Sequence, residues 1–361
     1  MKKIILLWIG CVLMSAMTAA AATGTHLEDS TLYPRLIRLH YAPHSLKATL
    51  LAKTGNRLYR STDEGRTFTY LASVGSTEGS KERCCSTIYE LPRRMGKLRA
   101  GTLLYSGSFF SGDVPAIEIY ASADEGMHWK YLATPIKAGD KHHGLWEPEF
   151  TTANDGSLVM FFSDETDACC SQKLAQMRTR DGLHWSAKQD TVASTSQKDR
   201  PGMAVVTRLP DKTYFMSYEV CGPVTHCQVY FRHSADGWNF GDASDFGVKA
   251  VTTAGQYFAH APANIFDPVS GQILLVGQVL YEADGSVSRQ NGKLLFTRGA
   301  SDGAGAWGTR PAPVEVPTAY DNYCPNYSSA LMPVQGGLLE LASDYDDSHK
   351  CTSYFATLPI R

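Results

Sequence analysis

The sequence is poor in the features of helical, nucleic-acid-binding and metal-dependent proteins. Stretches of helical period are scarce and glycine is frequent, at 31 of 361 residues, which favours an all-β chain. There is no excess charge of one sign. Lys plus Arg number 34 against 36 for Asp plus Glu, a net charge of −2, and the two signs are well mixed. Neither a nucleic acid nor an anionic membrane is therefore expected as a partner. Zinc-type cysteine spacing is missing, since the close cysteines are adjacent or six apart, so no metal site and no cofactor are expected. No Pro- or Ser-rich linker divides the chain. The stretch Ile4–Met17 is apolar, but it follows Lys2 and Lys3 and runs into the small residues Thr18–Ala22. That order predicts a secretory signal over residues 1–22, removed after Ala22, and a secreted or periplasmic product. One domain over residues 23–361, acting as a monomer, is the expectation for the remainder.

Eight cysteines lie beyond that signal: Cys84, Cys85, Cys169, Cys170, Cys221, Cys227, Cys324 and Cys351. An even number in an exported chain reads as disulfides. The simplest pairing joins Cys221 to Cys227 and Cys324 to Cys351. The two adjacent pairs either cross-link each other or form vicinal bridges.

A motif recurs along the chain. Ser61-Thr-Asp63-Glu-Gly65-Arg-Thr-Phe68 returns as Ser122-Ala-Asp124-Glu-Gly126-Met-His-Trp129, and in a shorter form at Thr179–Trp185 and Ser234–Phe240. A worn copy lies at Ser301-Asp302-Gly303 with Trp307. In such turns Ser and Asp side chains bond their own backbone amides, and Gly takes an angle that other residues resist. The copies resemble the Asp-box of the sialidase superfamily, and their carboxylates are structural. Their spacing of about 55 to 65 residues matches a four-stranded propeller blade. Six units begin near Pro34, Ser86, Leu145, Gly202, Ala261 and Tyr327. The fold class predicted is all-β, a six-bladed propeller, with the segment around Thr25–Thr31 supplying the last outer strand.

The Asp-boxes occupy one face. The blade-to-blade links and the loops between second and third strands occupy the other, and all eight of these cysteines fall in those segments. Inner-strand residues near that face are Tyr33, Arg35, Trp146, Glu147, Glu149, Tyr218, Glu219, Tyr257, His260, Tyr320, Asp321, Tyr323 and Tyr327. A carboxylate on an inner strand is either solvated or used. Two that converge supply the acid/base and the nucleophile or base of glycoside hydrolysis.

Trp146-Glu147-Pro148, Phe162–Glu165, Gln172-Lys173-Leu174, Arg200-Pro201-Gly202-Met203 and Tyr214–Glu219 occur in that order. Together they resemble the exo-α-1,5-L-arabinanases of glycoside hydrolase family 93, most densely between Leu145 and Gly222. The resemblance implies a six-bladed propeller, an oligo- or polysaccharide substrate and a retaining mechanism. It places the catalytic pair on Glu147 and Glu219, with Glu219 as nucleophile and Glu147 as acid/base. It implies further that Tyr327, or else Tyr323, lies near the reaction centre, and that Arg35 and Lys173 contact sugar or tune the carboxylates. Tyr33, Trp146, Tyr218 and His260 complete the expected substrate-binding set. The chain departs from the family at Val220-Cys221-Gly222, at the adjacent cysteines and at Tyr257–Pro262. Two other readings stand beside this one. An exo-sialidase needs three arginines for the sialate carboxylate, and a non-catalytic glycan-binding propeller needs neither glutamate.

Overall fold

The computed structural model describes residues 23–41, 49–300 and 305–359. The proposed signal segment and Ser301–Gly303 of the worn fifth motif lie outside them.

Six antiparallel sheets follow one another along the chain as blades. Blade one is β2 (Arg35–Arg38), β3 (Leu50–Thr54), β4 (Arg57–Ser61) and β5 (Thr69–Ser73). Blade two is β6 (Ser80–Glu90), β7 (Leu103–Ser111), β8 (Val114–Ser122) and β9 (Lys130–Lys137). Blade three is β10 (Leu145–Thr152), β11 (Leu158–Asp164), β12 (Lys173–Thr179) and β13 (Gln189–Val192). Blade four is β14 (Arg200–Arg208), β15 (Tyr214–Cys221), β16 (Gln228–Ser234) and the short β17 (Val248–Lys249). A small two-stranded annex, β18 (Tyr257–Ala259) paired antiparallel with β21 (Val279–Tyr281), continues that sheet. Blade five is β19 (Ala263–Asp267), β20 (Gln272–Val276), β22 (Leu294–Gly299) and β23 (Gly308–Pro311). Blade six is β24 (Ala330–Val334), β25 (Gly337–Tyr345) and β26 (Cys351–Leu358), with β1 (Thr25–Glu28) as its outermost strand. The N-terminal strand thus closes the ring, as expected from sequence.

Strand alternation explains why the blades pack as a ring. Leu50 and Ala52 of β3 face blade six, while Leu51 between them faces blade two. Phe215 of β15 turns to blade five, and Met216 to blade three. The second and third strands are accordingly buried on both sides, as in the unbroken burial of Leu158–Asp164.

The Asp-boxes behave as local staples. The Ser122 hydroxyl accepts the Gly126 amide at 2.9 Å and lies 2.8 Å from the Asp124 carboxylate. Asp124 also accepts the His128 amide at 2.9 Å; burial raises its carboxyl, and the hydrogen bonds from His128 and Ser122 together outweigh that and hold it down at about 2. Asp63, Asp181 and Asp236 repeat the pattern.

Blade two begins earlier than the sequence suggested. β6 starts at Ser80, so Cys84 and Cys85 stand inside an inner strand and not in a link. Two register shifts in its pairing with β7 flank Cys84. The adjacent cysteines form vicinal disulfides, Cys84–Cys85 and Cys169–Cys170, and the other two bridges are Cys221–Cys227 and Cys324–Cys351.

Candidate active site

Every blade enters its inner strand through a kink on the face opposite the Asp-boxes. Tyr33, Cys85, Glu147, Met203, Ala261 and Ser328 all have positive φ, between 47° and 64°. Non-glycine residues rarely adopt this conformation, and it costs roughly 1–3 kcal/mol each where the surroundings enforce it. Bulges at Trp146/Glu149 and Gly202/Val205 accompany two of the kinks. A bulge re-aims a side chain. Here the kinks turn Glu147 and Cys85 toward the axis, where a cavity of about 730 Å³ opens.

Glu147, Glu219, Trp146, His260, Tyr323 and Tyr327 all line this cavity. Ser163 donates to the Glu147 carboxylate at 2.6 Å, and the Met203 amide meets the same hydroxyl at 3.2 Å. Gly202 is required beside this contact, because a Cβ there would fall 2.6 Å from Ser163 Oγ. Glu219, at the end of β15, accepts the Ala261 amide at 2.7 Å and lies 3.8 Å from His260 Nδ1. His260 Nε2 in turn lies 3.3 Å from Asp321.

Both carboxyls are pushed up by burial. Glu219 reaches about 8, with the Glu147 charge as the second cause. Glu147 is raised by burial, with Ser163, the Met203 amide and Arg200 pulling the other way. The charge of one raises the other, so the two carboxyls titrate as a unit. The Tyr327 hydroxyl is held far above the ordinary phenol range by burial and by the charges of both glutamates, which places it beside them.

Four expected contacts are not made in the cavity. Arg35 donates to Pro34 O and Ser328, pairs with Glu149 at 3.7 Å, and borders a separate cavity at the other end of the channel. Lys173 is buried in a clamp with Asp167 at 2.5 Å and Asp190 at 2.7 Å, because β12 turns it outward within blade three. Tyr218 precedes Glu219 on one strand, so alternation points it away, and its hydroxyl donates to Phe246 O at 2.5 Å. Tyr33 is buried behind the cavity wall with Met203 and Ala261, its ring 6.2 Å from that of Tyr327.

The cation that reaches both carboxyls is Arg200, held by Glu165, Gln172 and Ser171. Sequence reasoning gave it no role in tuning them, although it opens the Arg-Pro-Gly-Met motif at the start of blade four. Arg83, 4.1 Å above the Trp146 ring, also lines the cavity and went unmarked in the sequence; Gln172 lines it too and was read only as part of a motif. Arg83 and Arg200 are the only arginines lining it among the described residues, one short of the three that a sialate carboxylate site needs.

No protein-family model matches the chain, and no curated protein matches it. Solved structures do. The α-L-arabinofuranosidase of Fusarium graminearum, of glycoside hydrolase family 93 and bound to arabinobiose, superposes with a TM-score of 0.77 at 26% identity. The match covers 94% of this chain and 98% of that one. The chain has the family 93 fold. An α-L-arabinanase of Penicillium chrysogenum, also bound to arabinobiose, is similar at 26% identity, TM-score 0.75 and the same coverage of both chains. A sialidase of Streptococcus pneumoniae matches at 13% identity with a TM-score of 0.57, covering 94% of this chain and 70% of its own. That likeness extends the family 93 fold to the sialidase-type six-bladed propeller and carries nothing about substrate. The chain is structurally homologous to arabinan-degrading glycosidases of family 93.

Proposed function

We propose that the protein is an exported, retaining glycoside hydrolase that acts from the ends of α-1,5-L-arabinan or a closely related glycan. The observation that carries this reading is the pair Glu147 and Glu219, the first half-buried and the second buried, electrostatically coupled and facing one cavity. One carboxylate attacks the anomeric carbon while the other protonates the departing oxygen. The second then deprotonates the water that releases the sugar. On the proposed order Glu219 attacks and Glu147 carries the proton. Trp146 and Tyr323 offer ring faces to sugar, and Tyr323 is 75% exposed at the rim, free to receive it. Arg200 favours the ionised form of both groups, against their burial. Export is supported by the leader-like order of residues 2–22 and by four disulfides.

The test is hydrolysis of linear α-1,5-arabinan by the mature protein and by Glu219→Gln and Glu147→Gln. Release of short arabino-oligosaccharides, cut by about a thousandfold or more in each variant, supports the reading. A folded wild type that leaves arabinan intact rejects the substrate. Azide separates the roles: Glu219→Ala should yield a glycosyl azide of inverted configuration, and Glu147→Ala one of retained configuration.

A further inference from the structure

The Cys84–Cys85 disulfide has no evident work to do as a staple. A cross-link stabilises chiefly by closing a loop in the unfolded chain, and the effect grows with loop length. Cys324–Cys351 spans 27 residues, whereas Cys84–Cys85 joins neighbours and closes almost nothing. Its placement is specific. Both cysteines line the cavity of Glu147 and Glu219. The two register shifts of β6 and the positive φ of Cys85, 64°, turn the pair inward. Cys85 packs in one apolar cluster with Leu32 and Tyr327, which line the same cavity. The residue before the pair, Arg83, lies over Trp146 on the same wall. Cys169–Cys170 is also a bridge between neighbours, but it is not among the residues lining the cavity.

We propose that the Cys84–Cys85 disulfide is a substrate-binding ledge, a rigid apolar surface of two sulfur atoms on which the C–H face of a sugar ring lies. A sugar ring presents hydroxyls at its edge and carbon-bound hydrogens on its faces. A polarizable surface without hydrogen-bonding demands of its own suits those faces. Bonding the two sulfurs to each other fixes them in place, so little side-chain freedom is lost when the ring settles. The inference rests on the functional reading above and adds to it a specificity-determining element.

The experiment compares KM, kcat and thermal midpoint on linear α-1,5-arabino-oligosaccharides for wild type, Cys84→Ala/Cys85→Ala and Cys169→Ala/Cys170→Ala. The ledge predicts a KM raised about five- to tenfold in the first variant, with kcat and midpoint near wild type, because binding shared by ground and transition states is what is lost. The second variant should match wild type in all three. Wild-type turnover with KM unmoved by the Cys84/Cys85 substitution, or raised equally by both substitutions, overturns the ledge alone. Wild type that leaves these substrates untouched overturns the functional reading and the ledge with it. Should the double alanine variant fail to fold, Cys84→Ser/Cys85→Ser replaces it. Failure of both to fold makes the pair an element of the fold and overturns the proposal.

Discussion

At the scale of single residues, the chemistry lies in how burial and charge are set against each other. The Glu147–Glu219 pair keeps its proton because burial outweighs the hydrogen bonds and Arg200. As pH rises through about 8 the pair loses the proton it shares, both carboxyls become anions, and the acid is gone. The kcat/KM profile should therefore fall on its alkaline side near that value. Arg200→Gln removes a cation that favours the ionised forms, so the same limb should move to higher pH in a pH–rate comparison. Glu340 in β25 presents a related problem away from the cavity. One oxygen accepts the Val314 amide at 3.0 Å, the other is buried without a partner, and burial lifts the carboxyl to about 8. A folded value above the unfolded one means that ionisation opposes folding. Stability is therefore lost as pH climbs from the ordinary carboxyl range through about 8. Glu340→Gln should flatten that decline, as thermal midpoints across the range would report.

At the scale of elements, what could be read from sequence was local. The Asp-box was legible because its bonds run within four residues, from Ser122 to Gly126 and from Asp124 to His128. Ser122→Ala removes a fully buried hydroxyl and strands the Gly126 amide, so unfolding should become easier by about 1–2 kcal/mol while KM stays put. Denaturant titration and steady-state kinetics on one preparation check both halves. Glu147 and Glu219 were legible because their flanking residues form recognisable strings. The neighbours were harder to place. Tyr218 could have been discounted from alternation alone, since it shares a strand with Glu219 at the next position. Arg35 and Lys173 could not. Their directions depend on ion partners, Glu149 for one and Asp167 and Asp190 for the other, of which only Glu149 stood out in the sequence. The pair Cys84–Cys85 was read on the right face, but its place inside an inner strand, and Arg83 beside it, were hidden by the bulges of β6, which no composition rule announces.

At the scale of the whole molecule, the ring depends on its last joint. Cys324–Cys351 ties the link that carries Asp321 and Tyr323 to the start of β26. Cys324→Ser/Cys351→Ser should lower stability by about 3–4 kcal/mol on loop entropy and raise KM, since two cavity residues sit beside the freed end. Calorimetry and kinetics together distinguish this from a purely structural loss.

The pairing of Thr25–Glu28 with Cys351–Leu358 sets an order of events. The first described strand in the sequence finds its neighbour only when the last has been made, so closure is a long-range step that no local hairpin can replace. A chain trimmed of Thr25–Glu28 leaves β26 as a bare edge with unpaired amides and carbonyls. Two such edges complement each other, so pairing of trimmed chains edge to edge is the expected fate.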